Sequence, residues 1–599
     1  MLTMKRRDFT LSALAPLLLS ACGGSSDDAA TPTLPPGPKA DAADALKRAT
    51  HYMDDTVSYQ GGYVWSYSPD LKQTFGEMEA YRTMCWIQPP GTPSVGHVYL
   101  DAYHATGDER HWRAAERTAT AIMAAQHPSG GWNYIHDFAG EPSLKQWYDT
   151  IGKNGWRLEE FQHYYGNATF DDAGTAVASQ FLLRMYLERR EARYLPAVQK
   201  AIDFVVNAQF GPEYGVASGG WPQRFPHFPG AVSSMPLPNP SQVPAGAKAG
   251  MEDGDYTLHV TFNDDVMGEN IKFLTLCVMA LGETRLLPNI SRAMECMRLM
   301  QQPGPQAGWG LQHLSREKDG RPAGSPAGAR SYEPRSLATH TTQTNIRQLF
   351  NYFQLTGDRK YLARIPEAIA WLKSCPLPAD AATVNPLLGG GRTHPTFVEL
   401  GTNDGLYVHR YGSNIHNGAY YVDKHYTNTV SHYSAGRPID IAGLEATYAK
   451  LNGMTDAAVA ELAARSPLKV AAGGRALPKY FSIREVDFPD LFTGAVMATP
   501  TVPESEVATL LNELGTRNYW TSPVPEIVNP YQGDGPTAPY TGTAYRSKHV
   551  GDVYDTSPYP ADNPPEVPPY VKKDKPQFIV TAEWIRRMGR LIAFVAPVA

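Results

Sequence analysis

Cysteine is scarce in this chain, with five in 599 residues. No two of them stand in a CxxC spacing, so neither a disulfide framework nor a paired-cysteine zinc module is written here. Charge is scarce too. Only 19% of residues are Asp, Glu, Lys or Arg, and the net charge is −6, a balance that argues against nucleic acid as the main partner. A polyanionic substrate stays open, because a local basic cleft is invisible to a sum over the chain. What is abundant is apolar and aromatic: 42% hydrophobic residues, 33 Tyr and 11 Trp. That excludes a disordered chain, and the Tyr excess suits an aromatic-lined or sugar-binding cleft. The 52 Gly and 50 Pro predict long irregular segments. The length allows three or four domains, or one large repeat-built domain.

The N-terminus reads as an address. Lys5-Arg6-Arg7-Asp8-Phe9 precedes the apolar run Leu11 to Leu19, which is too short to span a bilayer and fits a signal peptide. The paired arginines resemble a twin-arginine export signal. Leu19-Ser20-Ala21-Cys22 resembles the lipobox of bacterial lipoproteins, which implies cleavage before Cys22 and lipidation of its sulfur; a plain cleaved signal is the alternative. Residues 23–41 form a Gly/Ser/Pro tether. The expectation is an exported protein, periplasmic or anchored at the outer membrane by its lipid. Cys277 and Cys296 lie inside apolar helical patterns and read as buried thiols.

Three tryptophans mark a repeat. Trp132 and Trp221 each follow Gly-Gly and Trp309 follows Gly308, at spacings of 89 and 88 residues. Before each lies a helix with apolar residues at helical spacing. The first carries Trp112, Ala115, Ala119 and Ile122, ending near Gln126. The second carries Leu195, Val198, Ile202 and Val205, ending near Gln209. The third carries Ile290, Ala293, Met297 and Met300, ending near Gln302. Each is preceded by another helix, at about 94–105, 172–190 and 266–281, and a fourth pair covers about 340–355 and 359–374. Hairpins that cannot bury their faces alone pack side by side. The expected class is therefore all-α dominated: an α/α toroid of repeated helical hairpins over 42–440, with a Pro-rich C-terminal extension, 441–599, packed on it. Residues 226–250, with six prolines, read as a long loop, and 375–440 as irregular and short-strand structure. A helical piece is expected at 440–465 and a last amphipathic helix at about 577–595.

Four segments concentrate acid, base and aromatic groups where sites normally sit. Asn167-Ala168-Thr169-Phe170-Asp171-Asp172 and Thr261-Phe262-Asn263-Asp264-Asp265 each precede a helix. Their aspartates serve as helix caps, as hard oxygen ligands for Ca²⁺, or as paired acid and base of a glycoside hydrolase. The third segment is Gly328 to Arg335, containing Arg330; the fourth is Thr396 to Arg410, with Glu399, Asn403, Asp404 and His409.

GGWPQ at 219–223, TFNDD at 261–265, GAR-x-x-EP at 328–334 and F-x-E-x-GTN at 397–403, in that order, resemble the pectate lyases of polysaccharide lyase family 10 over roughly 165–415. The resemblance implies an α/α toroid that cleaves pectate by β-elimination, with Ca²⁺ at the substrate carboxylate. Carried over, Asp171, Asp264 and Asp265 fall on the metal-handling aspartates, Arg330 on the catalytic arginine, expected to be the base that takes the C5 proton, and Arg410 on an arginine that grips uronate carboxylates. Trp221, Tyr407 and Asn403 complete the expected substrate-binding set; packing of the hairpin ends is the alternative for the tryptophans. Two departures remove positive charge: Thr396 stands where the family has an arginine, and Asp404 replaces the arginine after GTN. They imply a uronate polymer less carboxylate-dense, or differently decorated, than plain pectate.

The chemistry explains these residue types. A uronate's C5 proton lies α to a carboxylate, and charge neutralisation there by Ca²⁺ or Arg lowers the barrier to its removal. Competing readings are an inverting glycoside hydrolase using one Asp from each pair, and a non-catalytic glycan-binding lipoprotein. The expected partner is an acidic polysaccharide, the protein otherwise a monomer attached to the membrane by its lipid.

Overall fold

The computed structural model describes residues 36–149, 151–152, 164–227, 248–249, 252–413, 416–427, 429, 434–469, 474–494, 497, 499–523 and 577–596. The signal segment, Cys22 and most of the 226–250 and 520–575 stretches lie outside these. Helices dominate. Those that frame the site and its supports are α1 (Pro38–Tyr52), α2 (Thr92–Thr106), α3 (Glu109–Ala124), α4 (Gly174–Arg189), α5 (Leu195–Ala208), α6 (Val266–Leu281) and α7 (Leu287–Leu299). Then follow α8 (Thr339–Thr356), α9 (Ile365–Ser374), α10 (Ile441–Asn452), α11 (Asp456–Ala464), α12 (Glu504–Leu514) and α13 (Thr581–Val595).

The hairpins form two rows. In α6 every residue from Val266 to Ala280 is buried, the signature of a helix enclosed on all sides. It packs on α4, and α4 on α2. The partners α3, α5 and α7 bury one face only, at helical spacing: Trp112, Ala115, Ala119 and Ile122 in α3, and Ile290, Ala293 and Met297 in α7. Leu195, expected on the buried face of α5, is exposed as its first residue.

Each tryptophan locks one hairpin to the next. Trp132, Trp221 and Trp309 are fully buried, and their indole N–H groups donate to the carbonyls of Ile122, Val205 and Met297 near the end of the preceding helix. Their own carbonyls accept the backbone N–H groups of Thr169, Thr261 and Ala338, just ahead of α4, α6 and α8. The chain reaches this position through Gly130 (φ 106°) and Gly219 (φ 96°). A Cβ at either would run into the backbone of α5 at Lys200 or of α7 at Arg292. Glutamines at the helix ends clamp the neighbouring hairpin: Gln126 Nε2 donates to Ala197 O at 2.9 Å and Gln209 Nε2 to Asn289 O at 3.0 Å. In the third hairpin Gln301, not Gln302, takes this role, donating to Arg364 O at 3.0 Å.

Short strands carry the segments between the helices. Pro326–Ala327, Gln312–His313 and Val260–Thr261 pair in that order. A second sheet runs Leu337–Ala338, Phe397–Val398, Gly405–Ser413, His416–Asp423 and Lys248–Ala249; its middle three strands lie within the stretch expected to hold strands, while Lys248–Ala249 falls where a loop is expected. Four boundaries differ from expectation. The tether yields to α1 by Pro38, because proline suits a first helical turn. The 359–374 helix is a 3₁₀ turn, Arg359–Tyr361, followed by α9 with Pro366 in its first turn. The 440–465 piece is split into α10 and α11 around Gly453, with Thr455 capping α11. The last helix starts at Thr581, because Gln577–Val580 pairs as a strand with Ser66–Tyr67. It lies against α1 and α2. Among the described residues no helix is long and apolar enough to cross a membrane.

Candidate active site

Two turns of the same shape open α4 and α6. Phe170 and Phe262 are αR, and the next residue but one begins a left-handed pair: Asp172 (φ 49°) and Ala173 (φ 56°) in the first, Asp264 (φ 48°) and Asp265 (φ 53°) in the second. Non-glycine residues in this region cost on the order of 1–2 kcal/mol each. Such strain gathers at functional sites, where surrounding structure holds it. Superposing the turns on their phenylalanines pairs Asp172 with Asp264, and Asp171 with Asn263.

This register decides which carboxylates meet. Asp171, Asp172 and Asp264 each bring an oxygen within 4.8 Å of the others. Asp265, expected in the metal set, turns away. Its Oδ2 accepts from Gln348 Nε2 at 2.6 Å, and burial, with Glu269 beside it, pushes its carboxyl up to about 8. Consecutive left-handed residues send their side chains apart, so only the first of the pair faces the group. Asp172 takes the place expected of Asp265; matching FDD to FND on the phenylalanines, rather than DD to DD, would have found it.

The three carboxylates suit a hard divalent cation. Asp171 is buried, and its Oδ1 meets no hydrogen-bond donor. Asp264 is exposed at the mouth of the group; the protein packed behind it, then the charges of Asp172 and Asp171, push its carboxyl above the usual range. A cation there would relieve the repulsion and occupy the donor-free oxygen, and an all-oxygen set fits Ca²⁺. Gln88 braces the rim, its Nε2 donating to Asp172 Oδ2 at 2.5 Å and to Glu77 Oε2 at 3.1 Å.

Arg330 joins the group through Asp171. Its Nη1 donates to Asp171 Oδ2 at 3.2 Å, which also accepts the Tyr134 hydroxyl. Its Nε and Nη2 fork onto Glu333 at 2.9 and 2.7 Å. Against the cost of burial, Glu333 keeps the guanidinium charged, with its pKa above the ordinary value. The loop is pinned by buried Asp253, which accepts Gly328 N at 2.8 Å, Arg335 Nε at 3.0 Å and Arg335 Nη2 at 2.8 Å, and pairs with Arg321. Despite burial, these donors hold its carboxyl at about 2.

Three of the expected substrate-binding residues, Trp221, Tyr407 and Asn403, are engaged elsewhere. Trp221 is a core residue whose ring offers no face to a sugar. Tyr407 is buried with Leu388, Ala381 and Ala435. Asn403 is a left-handed turn residue engaged with Trp371, Gln306 and Ser374. Arg410 lies in the Gly405–Ser413 strand opposite Tyr420, and its side chain is outside the described structure. Thr396 donates to the carbonyl of Ser434, while Asp404 pairs with Lys424 at 2.5 Å. Gln88 and Tyr134 had no distinguishing sequence signal, since their roles arise only from packing; Glu333 stands in the GAR-x-x-EP block, but nothing in the block marks it as the partner of Arg330.

Comparison with known proteins agrees with this region. The pectic acid lyase family matches residues 145–419. No curated protein matches the chain. Among solved structures, a mutant family 10 polysaccharide lyase from Cellvibrio cellulosa, in complex with trigalacturonic acid, is similar at 16% identity, over 60% of this chain and 99% of that one, with a TM-score of 0.36. An α-1,6-mannanase from Salegentibacter is similar at 12% identity, over 57% of this chain and 71% of that one, with a TM-score of 0.30. The matched stretch contains all three clustered aspartates and Arg330. Residues 145–419 match the pectic acid lyase family, and over that stretch the chain is a pectate-lyase-like enzyme.

Proposed function

We propose that the protein cleaves a uronic-acid polymer by Ca²⁺-assisted β-elimination. The observation that carries this is the junction of Asp171, Asp172 and Asp264 with Arg330 through one carboxylate, inside the pectic-acid-lyase stretch. Asp171, Asp172 and Asp264 would hold the cation. When bound, it supplies Lewis-acid neutralisation of the uronate carboxylate, which makes the C5 proton more acidic. In the elimination the C5–H bond breaks to a base, C4=C5 forms, and O4 departs and takes a proton.

Arg330 is assigned to the reacting centre. Glu333 holds Nε and Nη2, so Nη1 is the nitrogen turned toward the acidic group. Charged, it stabilises the negative charge that develops on the substrate carboxylate. The expected role as base requires loss of a proton that Glu333 opposes. Glu333→Gln separates the two: a base freed of this counter-charge works at lower pH, whereas a charge stabiliser shows no such shift in the pH–rate profile. For Asp264 with Asp171 or Asp172, glycoside hydrolysis by inversion fits less well, because that route needs carboxylates about 6.5–9.5 Å apart, against 4.8 Å or less for the closest oxygens here.

The packed hairpins are read as part of an α/α toroid with this site at one end. Export and lipid anchoring through Cys22 are part of the same reading; Cys22→Ser should release the protein from membranes, and a wild type already soluble and unlipidated contradicts it. Incubation with uronate polymers tests the function: a lyase leaves a 4,5-unsaturated uronate that absorbs in the ultraviolet, a hydrolase leaves reducing ends without it, and a binder leaves neither.

A further inference from the structure

Arg224 follows GGWPQ, and its strand residue pairs with Thr169, two positions ahead of Asp171. The side chain is buried, with 1% of its surface exposed. Buried arginines elsewhere in the fold have carboxylates: Arg184 pairs with Asp101 at 2.6 Å, and Arg330 with Glu333 at 2.7 Å. Arg224 has none among the described residues. Its Nη1 reaches only a long hydrogen bond to Asn133 Oδ1, 3.4 Å, and its Nη2 is buried with no acceptor. What surrounds it is aromatic. The guanidinium carbon lies 4.3 Å from the centroid of Tyr165 and 5.2 Å from that of Tyr134. Tyr134 in turn donates to Asp171.

An enclosed cation without a counter-ion is costly, and ring faces offset only part of that cost. The donor fork matches a carboxylate in two-point geometry. Its place beside Tyr134 puts it next to the acidic group rather than in a remote core. The two positions where the family resemblance places arginines offer no such charge, since Thr396 is bonded to the backbone and Asp404 is acidic.

We propose that Arg224 binds a carboxylate of the acidic polysaccharide, gripping the uronate next to the one held at Asp171, Asp172 and Asp264. This rests on the uronate-lyase reading above. The side chains covering Nη2 part as the sugar acid docks, and the carboxylate supplies the missing acceptor.

Arg224→Gln removes the charge, and Arg224→Lys keeps it but loses the fork; both are compared with wild type after matching their melting behaviour. The probes are polygalacturonate and its methyl-esterified form, with initial rates read in the ultraviolet. The expected result for Arg224→Gln is a KM on polygalacturonate raised about tenfold or more, with a smaller fall in kcat. The rise should be several-fold larger on the acid than on the ester, with Arg224→Lys between. A structural lesion would affect acid and ester alike, and that outcome, or an unchanged KM, overturns the proposal. Calorimetric binding of trigalacturonate separates it from the lyase reading. Binding lost in Arg224→Gln without unsaturated product from wild type sinks the lyase reading and leaves Arg224's role standing. Equal binding by both proteins, or none by wild type, sinks the role of Arg224.

Discussion

At Asp172 and Asp265 a single step along the chain separates two fates. Asp172 faces Asp171 and Asp264, while Asp265 is tied to Gln348. Asp172→Asn should therefore weaken Ca²⁺ binding about tenfold or more, since even outer partners of a metal are worth 10–100-fold. Asp265→Asn should change it less than about threefold on the same scale. Titration calorimetry of the three proteins decides this, and equal losses would restore Asp265 to the metal set. The residue types of the site were legible in the sequence: an acidic pair before each of two helices, and an arginine in the GAR block. Which aspartate turns inward was not, because that depends on two left-handed residues in each turn. Nor was the Glu333 fork, which decides the charge state of Arg330. Trp221 shows the opposite error, a chemically suggestive residue used wholly for packing.

Helical hairpins and their Trp spacing were readable because apolar periodicity and the Gly-Trp signal are local. The structure adds the mechanism: an indole N–H caps one helix while the same residue's carbonyl holds the start of the next inner helix. Boundaries were less readable where proline or strand pairing intervened, as at Pro366 and at Gln577–Val580. Gly219→Ala tests the coupling between elements. A methyl at φ 96° would meet the backbone of α7 at Arg292. The left-handed backbone alone costs about 1–2 kcal/mol, so the denaturant midpoint should fall clearly. Activity should fall with it, because the loop after Trp221 leads to the TFNDD turn. A midpoint unchanged from wild type would mean that this contact is not maintained.

Across the whole molecule, buried neutral histidines tie stability to pH. His313 donates from Nδ1 to Gly324 O at 2.7 Å and accepts Gly310 N at Nε2, 2.9 Å. Burial lowers its pKa to about 4, and that of His259, in the same region, also to about 4. The unfolded chain, with histidine near 6.5, binds more protons between these values. The stability these residues contribute is thus present above pH 6.5 and lost as pH falls toward about 4. Asp265, raised to about 8, acts in the opposite sense, losing stability as pH rises from about 4 toward 8, so the net curve mixes both. Comparison with His313→Gln isolates one group. The melting temperature of wild type relative to His313→Gln should fall as pH drops from 6.5 to 4, and a constant difference would show that His313 does not titrate there.

The site's function turns on whether the Asp171–Asp172–Asp264 group serves an elimination. The decisive measurement is ultraviolet absorbance of the unsaturated product from a panel of uronate polymers, before and after exhaustive chelation and again after Ca²⁺ is returned. The structure predicts product from at least one polymer, its loss on chelation, and its recovery with Ca²⁺ in wild type but not in Asp171→Asn. Undiminished product after chelation would contradict the metal role, and bond cleavage that releases reducing ends without this absorbance would contradict the elimination itself.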